Sequence, residues 1–123
     1  ILGKTVADAL ERASSYVKAG ADAVMIHSKE KTGDDIKEFC LNFRKSNQDT
    51  PIVVVPSTYN HIKEHEFIKW GVNIVIYANH MLRSSYPAMN KVASSILKNE
   101  RSFEANDLCM SIKEILELIP GTK

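Results

Sequence analysis

Apolar positions along the chain alternate between two periods. Val6, Ala9, Leu10, Ala13, Tyr16 and Val17 recur at three- and four-residue steps, which predicts a helix with one buried stripe. Thr5 stands at its N-cap, Asp8 three residues on makes an approximate capping box, and Gly20 supplies a left-handed end. A short apolar run over 23–26 then reads as a strand. A second helix, capped near Thr32, carries Ile36, Phe39, Cys40 and Phe43 on one face. Beyond a polar loop come a strand over 52–55, stopped by Pro56, and a short helix with Ile62, Phe67 and Trp70 that ends at Gly71. The third strand spans 74–77. A long helix follows over 84–98, its start placed near Ser84 or Ser85 because Pro87 is tolerated only in a first turn. Ser111-x-x-Glu114 is a capping box for a last helix over 112–118, which Pro120-Gly121 ends.

Strands alternating with helices imply right-handed crossovers and a parallel sheet. The strands are continuous β-branched runs, so both of their faces are expected to be buried. Strand centres near residues 24, 54 and 75 are spaced comparably to the roughly thirty residues per unit of a (β/α)8 barrel. Three strands cannot close a barrel. Two architectures therefore stand: the C-terminal portion of a TIM-type barrel (about three β/α units plus terminal helices), or a small doubly wound domain. The beginning at Ile1-Leu2-Gly3 and the excess of apolar strand surface favour the barrel portion, with residues 1–123 belonging to a single barrel domain.

Composition narrows the class without naming a function. Sixteen Lys and Arg against fifteen Asp and Glu leave a net charge of +1, with no basic run, so neither nucleic acid nor a membrane surface is an expected partner. The apolar runs are far shorter than a membrane span, and no signal peptide is evident. Cys40 and Cys109 form no C-x-x-C motif; a buried, reduced Cys40 suits a cytoplasmic protein.

Parallel β/α folds gather function at the C-terminal ends of their strands. Here those ends read His27-Ser28-Lys29, Pro56-Ser57-Thr58 and Asn79-His80. Such a ring suits a small anionic ligand, a phosphate or a carboxylate; the plainer alternative is that these residues only cap the following helices. His61 and His65, at i and i+4, would share one helical face, but no third ligand accompanies them and a solvated polar face is the better reading. No carboxylate cluster stands at a strand end, so no metal site is expected within the chain.

Several stretches resemble one family. Ala19-Gly20-Ala21-Asp22-Ala23-Val24-Met25-Ile26-His27-Ser28-Lys29, Pro51 to Thr58, Val75-Ile76-Tyr77-Ala78-Asn79-His80 and Ser111 to Ile115 resemble, in order, the last strands and terminal helix of phosphoenolpyruvate mutases and phosphonopyruvate hydrolases, in the isocitrate lyase superfamily. The related carbon–carbon lyases end the first of these strands with an acid, where this chain has His27. The resemblance implies a magnesium-dependent barrel that moves a phosphoryl group between the enol oxygen and C3 of phosphoenolpyruvate, in phosphonate biosynthesis. It aligns His27 with a histidine that contacts the phosphoryl group; Ser28, Lys29, Ser57 and Asn79 are further candidates for substrate binding. It implies that the magnesium ligands, gating loop and an arginine lie on earlier strands, and that the protein is a homo-oligomer exchanging its C-terminal helices. Ala78 leans towards the mutase. The hydrolase remains the alternative activity, and a non-catalytic packing and oligomer-interface module the alternative of another class, with the 123-residue chain by itself expected to be inactive.

Overall fold

The computed structural model describes residues 4–119 and 121. Among them it forms strands β1 (Val24–Ile26), β2 (Ile52–Val54) and β3 (Ile74–Val75), and helices α1 (Val6–Lys18), α2 (Asp34–Ser46), α3 (Glu64–Lys69), α4 (His80–Asn99) and α5 (Ile112–Glu117). A 3-10 segment, Phe103–Leu108, lies between α4 and α5. The chain divides into two compact units, Ile1–Ala78 and Asn79–Lys123.

The first unit holds the sheet, ordered β1-β2-β3 and parallel throughout, with Val24 opposite Ile52 and Val53 opposite Ile74. Strand order follows chain order. Right-handed crossovers then bring every connecting helix to the same face. The core shows this directly: Ala9 and Ala13 of α1, Ile36, Phe39, Cys40 and Phe43 of α2, and Phe67 of α3 pack against Val24, Ile26, Ile52 and Val54. A doubly wound sheet would reverse its strand order and carry helices on both faces. The architecture is therefore an arc of a β/α barrel.

Burial of both strand faces, expected from the apolar runs, holds only for the central β2. On the face away from the helices Met25 is 61% exposed, Ile74 48% and Ile76 39%. Period-two alternation puts these side chains opposite the core, where no helix among the described residues of this unit covers them.

Local chemistry sets the helix ends. Thr5 Oγ1 accepts from the Asp8 N–H at 3.2 Å, but the Asp8 carboxylate turns to Arg12 Nε at 2.8 Å, so the box is only half made. The N-cap position of α2 is Gly33, next to Thr32, whose Oγ1 accepts from the Asp34 N–H at 3.3 Å; Gly33 has φ +76°, and a Cβ there would meet Ile62 Cδ1 at 2.4 Å. At the opposite end of α2, Arg44 closes the bottom of the unit. Its guanidinium donates to Gly71 O (2.9 and 2.7 Å), Asn47 O (3.1 Å), Thr50 O (2.9 Å) and Asn73 Oδ1 (2.6 Å). One side chain thus satisfies carbonyls at the ends of two helices and before β2.

In the second unit α4 begins at His80, four residues before the expected start at Ser84, and keeps Pro87 in its interior. The Ser84 and Ser85 hydroxyls, expected near the N-cap, instead donate back to the Met81 carbonyl at 2.9 and 2.6 Å. No residue of α4 is fully buried, so water can reach the Arg83 carbonyl that Pro87 leaves without an N–H. The 3-10 segment packs on α4 and buries Ala105. The capping box of α5 is complete: the Glu114 N–H donates to Ser111 Oγ at 3.2 Å, and the Ser111 N–H donates to the Glu114 carboxylate at 3.0 Å. Pro120, expected to end this helix, lies outside the described residues; Gly121 is left-handed at φ +90°.

Candidate functional site

The candidate site is the C-terminal end of β1 and β2. His27 directly follows β1 and is half-buried. Alternation along the strand puts it on the same side as Met25, the face that no described helix of the first unit covers. It lines a cleft of about 350 Å³ along the free edge of β1, with Arg12, Ala13 and Tyr16 of α1.

Ser28, the next residue, points the other way and is 1% exposed, a buried polar side chain at the edge of the apolar core. Its hydroxyl donates a short hydrogen bond to the Asp35 carboxylate and accepts from the Glu30 N–H at 3.0 Å. Asp35 in turn accepts from the Ile36 N–H at 2.8 Å, satisfying a free donor of the first turn of α2, where a negative charge is favoured. The Ser28 carbonyl accepts from Thr58 Oγ1 at 2.8 Å, which ties the end of β1 to the loop after β2. That loop is anchored by fully buried Tyr59, edge-on to Phe67.

The sequence-predicted residues therefore separate. Ser28 and exposed Lys29 share a second, polar cleft with Lys4, Thr5, Glu30 and Asp35, whereas His27 lines the first. Ser57 is exposed in the loop after β2, its N–H bonded to Val55 O at 2.8 Å. Asn79 belongs to the second unit, where it is exposed and left-handed (φ +65°) as the N-cap residue of α4. Sequence reasoning missed Asp35; an acid in the first turn of α2, seven residues beyond a strand-end serine, was the available signal.

His61 and His65 do not share a helical face as expected. His61 lies in the turn before α3, because Lys63 is the cap and Ile62 N–H bonds to Tyr59 O; His65 Nε2 is 2.9 Å from Glu66 Oε1. Among the described residues no three His, Cys, Asp or Glu side chains are grouped to hold a metal ion. Cys40 is buried and its thiol is pushed up to about 12, chiefly by that burial. Tyr59 is likewise pushed up to about 12 by burial, with Cys40 and Asp35 adding to the rise. Among the described residues no helix is long and apolar enough to cross a membrane.

Comparison with known proteins bears on the family and the fold. A profile of the phosphoenolpyruvate phosphomutase family matches residues 2–97. The chain is 35% identical over 118 residues to the phosphoenolpyruvate phosphomutase of Tetrahymena pyriformis, covering 96% of this chain and 38% of that protein. The crystal structure of the phosphoenolpyruvate phosphomutase of Streptomyces platensis subsp. rosaceus superposes with a TM-score of 0.81 at 34% identity, over 94% of this chain and 39% of that one. Phosphonopyruvate hydrolase in complex with oxalate and Mg²⁺ superposes with a TM-score of 0.77 at 35% identity, over 92% and 39%. The chain thus spans about two-fifths of the length of the relatives it matches.

Proposed function

The chain belongs to the phosphoenolpyruvate phosphomutase family, and on that premise we propose that it forms the C-terminal part of an enzyme interconverting phosphoenolpyruvate and phosphonopyruvate. The observation that carries this reading is His27: a half-buried imidazole at a strand's C-terminal end, on the uncovered face of a barrel arc. In the reaction the bond from phosphorus to the enol oxygen breaks and a bond from phosphorus to C3 forms. No redox partner enters, and no water is consumed. The phosphoryl oxygens redistribute charge as the group moves, and an N–H donor aimed at them stabilises that change, most strongly when the imidazole is cationic. Lys29, Ser57 and Asn79 are further candidates for holding the substrate's anionic groups.

The related hydrolase complex contains Mg²⁺, and we extend magnesium dependence to this protein. The described residues bring no acidic donor set together, so the ion would take its ligands from elsewhere in the protein. The hydrolase is the second reading, supported by a hydrolase and a mutase relative being equally similar at 35% identity. There, water cleaves the carbon–phosphorus bond to give pyruvate and inorganic phosphate.

Phosphorus NMR on the complete enzyme with phosphonopyruvate and Mg²⁺ separates these readings. A phosphoenolpyruvate resonance supports the mutase, and inorganic phosphate alone supports the hydrolase. An unchanged spectrum leaves the non-catalytic module.

A further inference from the structure

We propose that Ser28, Asp35 and Thr58 act as positioning residues that set the place of the His27 imidazole for phosphoryl transfer. The inference rests on the reading that His27 meets the phosphoryl group. Ile26, just before His27, is held in the sheet opposite Val54. Ser28, just after it, is held twice over. Its hydroxyl is bonded to Asp35 and to the Glu30 N–H, and its carbonyl to Thr58 Oγ1. The residues on both sides of His27 are therefore tied to three separate elements: Ile26 to β2, and Ser28 to the start of α2 and the loop after β2.

Packing alone does not call for this arrangement. Position 28 is 1% exposed and sits beside an apolar core, where an alanine would fill much of the same space without a polar group to satisfy. A buried hydroxyl with a donor, an acceptor and a bound carbonyl instead fixes one backbone geometry. Strand ends otherwise fray, and β1 is only three residues long. A displacement of about 1 Å in a reacting group costs on the order of a hundredfold in rate, so the clamp's worth lies in the placement of its neighbour.

The test is a double-mutant cycle in the complete enzyme, with kcat, KM and melting temperature read on each variant. Thr58 is exposed, so Thr58→Val removes only the hydroxyl with little effect on folding, and Thr58→Ser retains it. Ser28→Ala removes the other arm. Arg44→Lys, at the opposite end of the unit, supplies a destabilised control that leaves the clamp intact. Thr58→Val and Ser28→Ala are expected to lower kcat about tenfold or more with KM little changed, Thr58→Ser to keep most of the rate, and Arg44→Lys to lose stability without a matching loss of kcat. In a His27→Ala background, Thr58→Val and Ser28→Ala should cost little more, because they act through the group already removed. Wild-type kcat in Thr58→Val and Ser28→Ala, or costs that add fully to that of His27→Ala, would overturn the clamp while leaving the role of His27 standing. Full activity in His27→Ala itself would instead overturn the reading on which the clamp rests.

Discussion

At the scale of single residues, the four histidines are distinguished by where the chain puts them. His27 stands at a strand end, while His61 lies in a turn, His65 faces Glu66 on the surface and His80 opens α4. His27→Ala in the complete enzyme should lower turnover about a hundredfold, roughly 3 kcal/mol of transition-state stabilisation, with the melting temperature nearly unchanged. His61→Ala and His65→Ala should stay near wild type in the same assay. Two buried groups give a pH dependence of a different kind. Cys40 is raised from 9.0 to about 12, and Tyr59 from 10.0 to about 12, mainly by burial. Both are neutral acids favoured in the folded state. Their stabilisation is fully present below pH 9 and is lost as pH rises towards 12, at up to about 1.4 kcal/mol per pH unit for each group. Denaturant melts between pH 8 and 11.5 should show this decline. Cys40→Ala should lower stability at pH 8 through the cavity it leaves, yet flatten the alkaline slope; an unchanged slope would show that the thiol does not drive it.

At the scale of elements, Arg44 and Pro87 show how side-chain reach and helix context override local rules. Arg44 uses every guanidinium N–H on acceptors at the ends of α2 and α3, before β2 and on Asn73. Arg44→Ala should cost about 2–4 kcal/mol, because it leaves several carbonyls without donors, and Arg44→Lys should fall between the two, lacking the planar fork. Gly71→Ala should be similarly damaging: φ is +82° there, and the added Cβ would stand 2.8 Å from Arg44. Chemical denaturation of the three variants ranks them. Pro87 argues in the other direction. It sits inside a 20-residue helix, so Pro87→Ala should raise stability by up to about 3 kcal/mol. Far-ultraviolet circular dichroism through a thermal melt reads that change.

At the scale of the whole molecule, exposed apolar surface dominates. In the first unit the uncovered sheet face presents Met25, Ile74 and Ile76. In the second, Leu82, Tyr86, Met89 and Leu97 of α4 and Ile112 and Ile115 of α5 are all exposed. Monomers seldom leave more than a few hundred square ångströms of contiguous apolar surface in water. The 123-residue chain on its own should therefore self-associate or bind a hydrophobic dye. A sharp monomer peak in light scattering, with a cooperative melt and no dye binding, would count against this. The same chain should be silent towards phosphoenolpyruvate and phosphonopyruvate, since its described residues group no acids for magnesium.

Periodicity and punctuation determined much of this protein. The helix stripes from Val6 and Ile36, the apolar strands (the third only Ile74–Val75 of the expected 74–77) and the Ser111-Glu114 box emerge where local chemistry demands them, because each depends on residues within one or two turns. The family motifs at Ile26-His27-Ser28-Lys29 and Tyr77-Ala78-Asn79-His80 were also legible, as was His27 as the strand-end candidate. Tertiary structure decided what depends on distant partners. Gly33 at the start of α2 is left-handed with Ile62 and Tyr59 close by, and Arg44 found its acceptors up to 29 positions away. Strand order, and with it the choice between a barrel arc and a doubly wound sheet, followed from which strands paired; both topologies share the same alternation of elements. Ser28 was legible as polar, but that it is buried against Asp35 and bound to Thr58 depends on contacts seven and thirty residues along the chain, which no local pattern encodes.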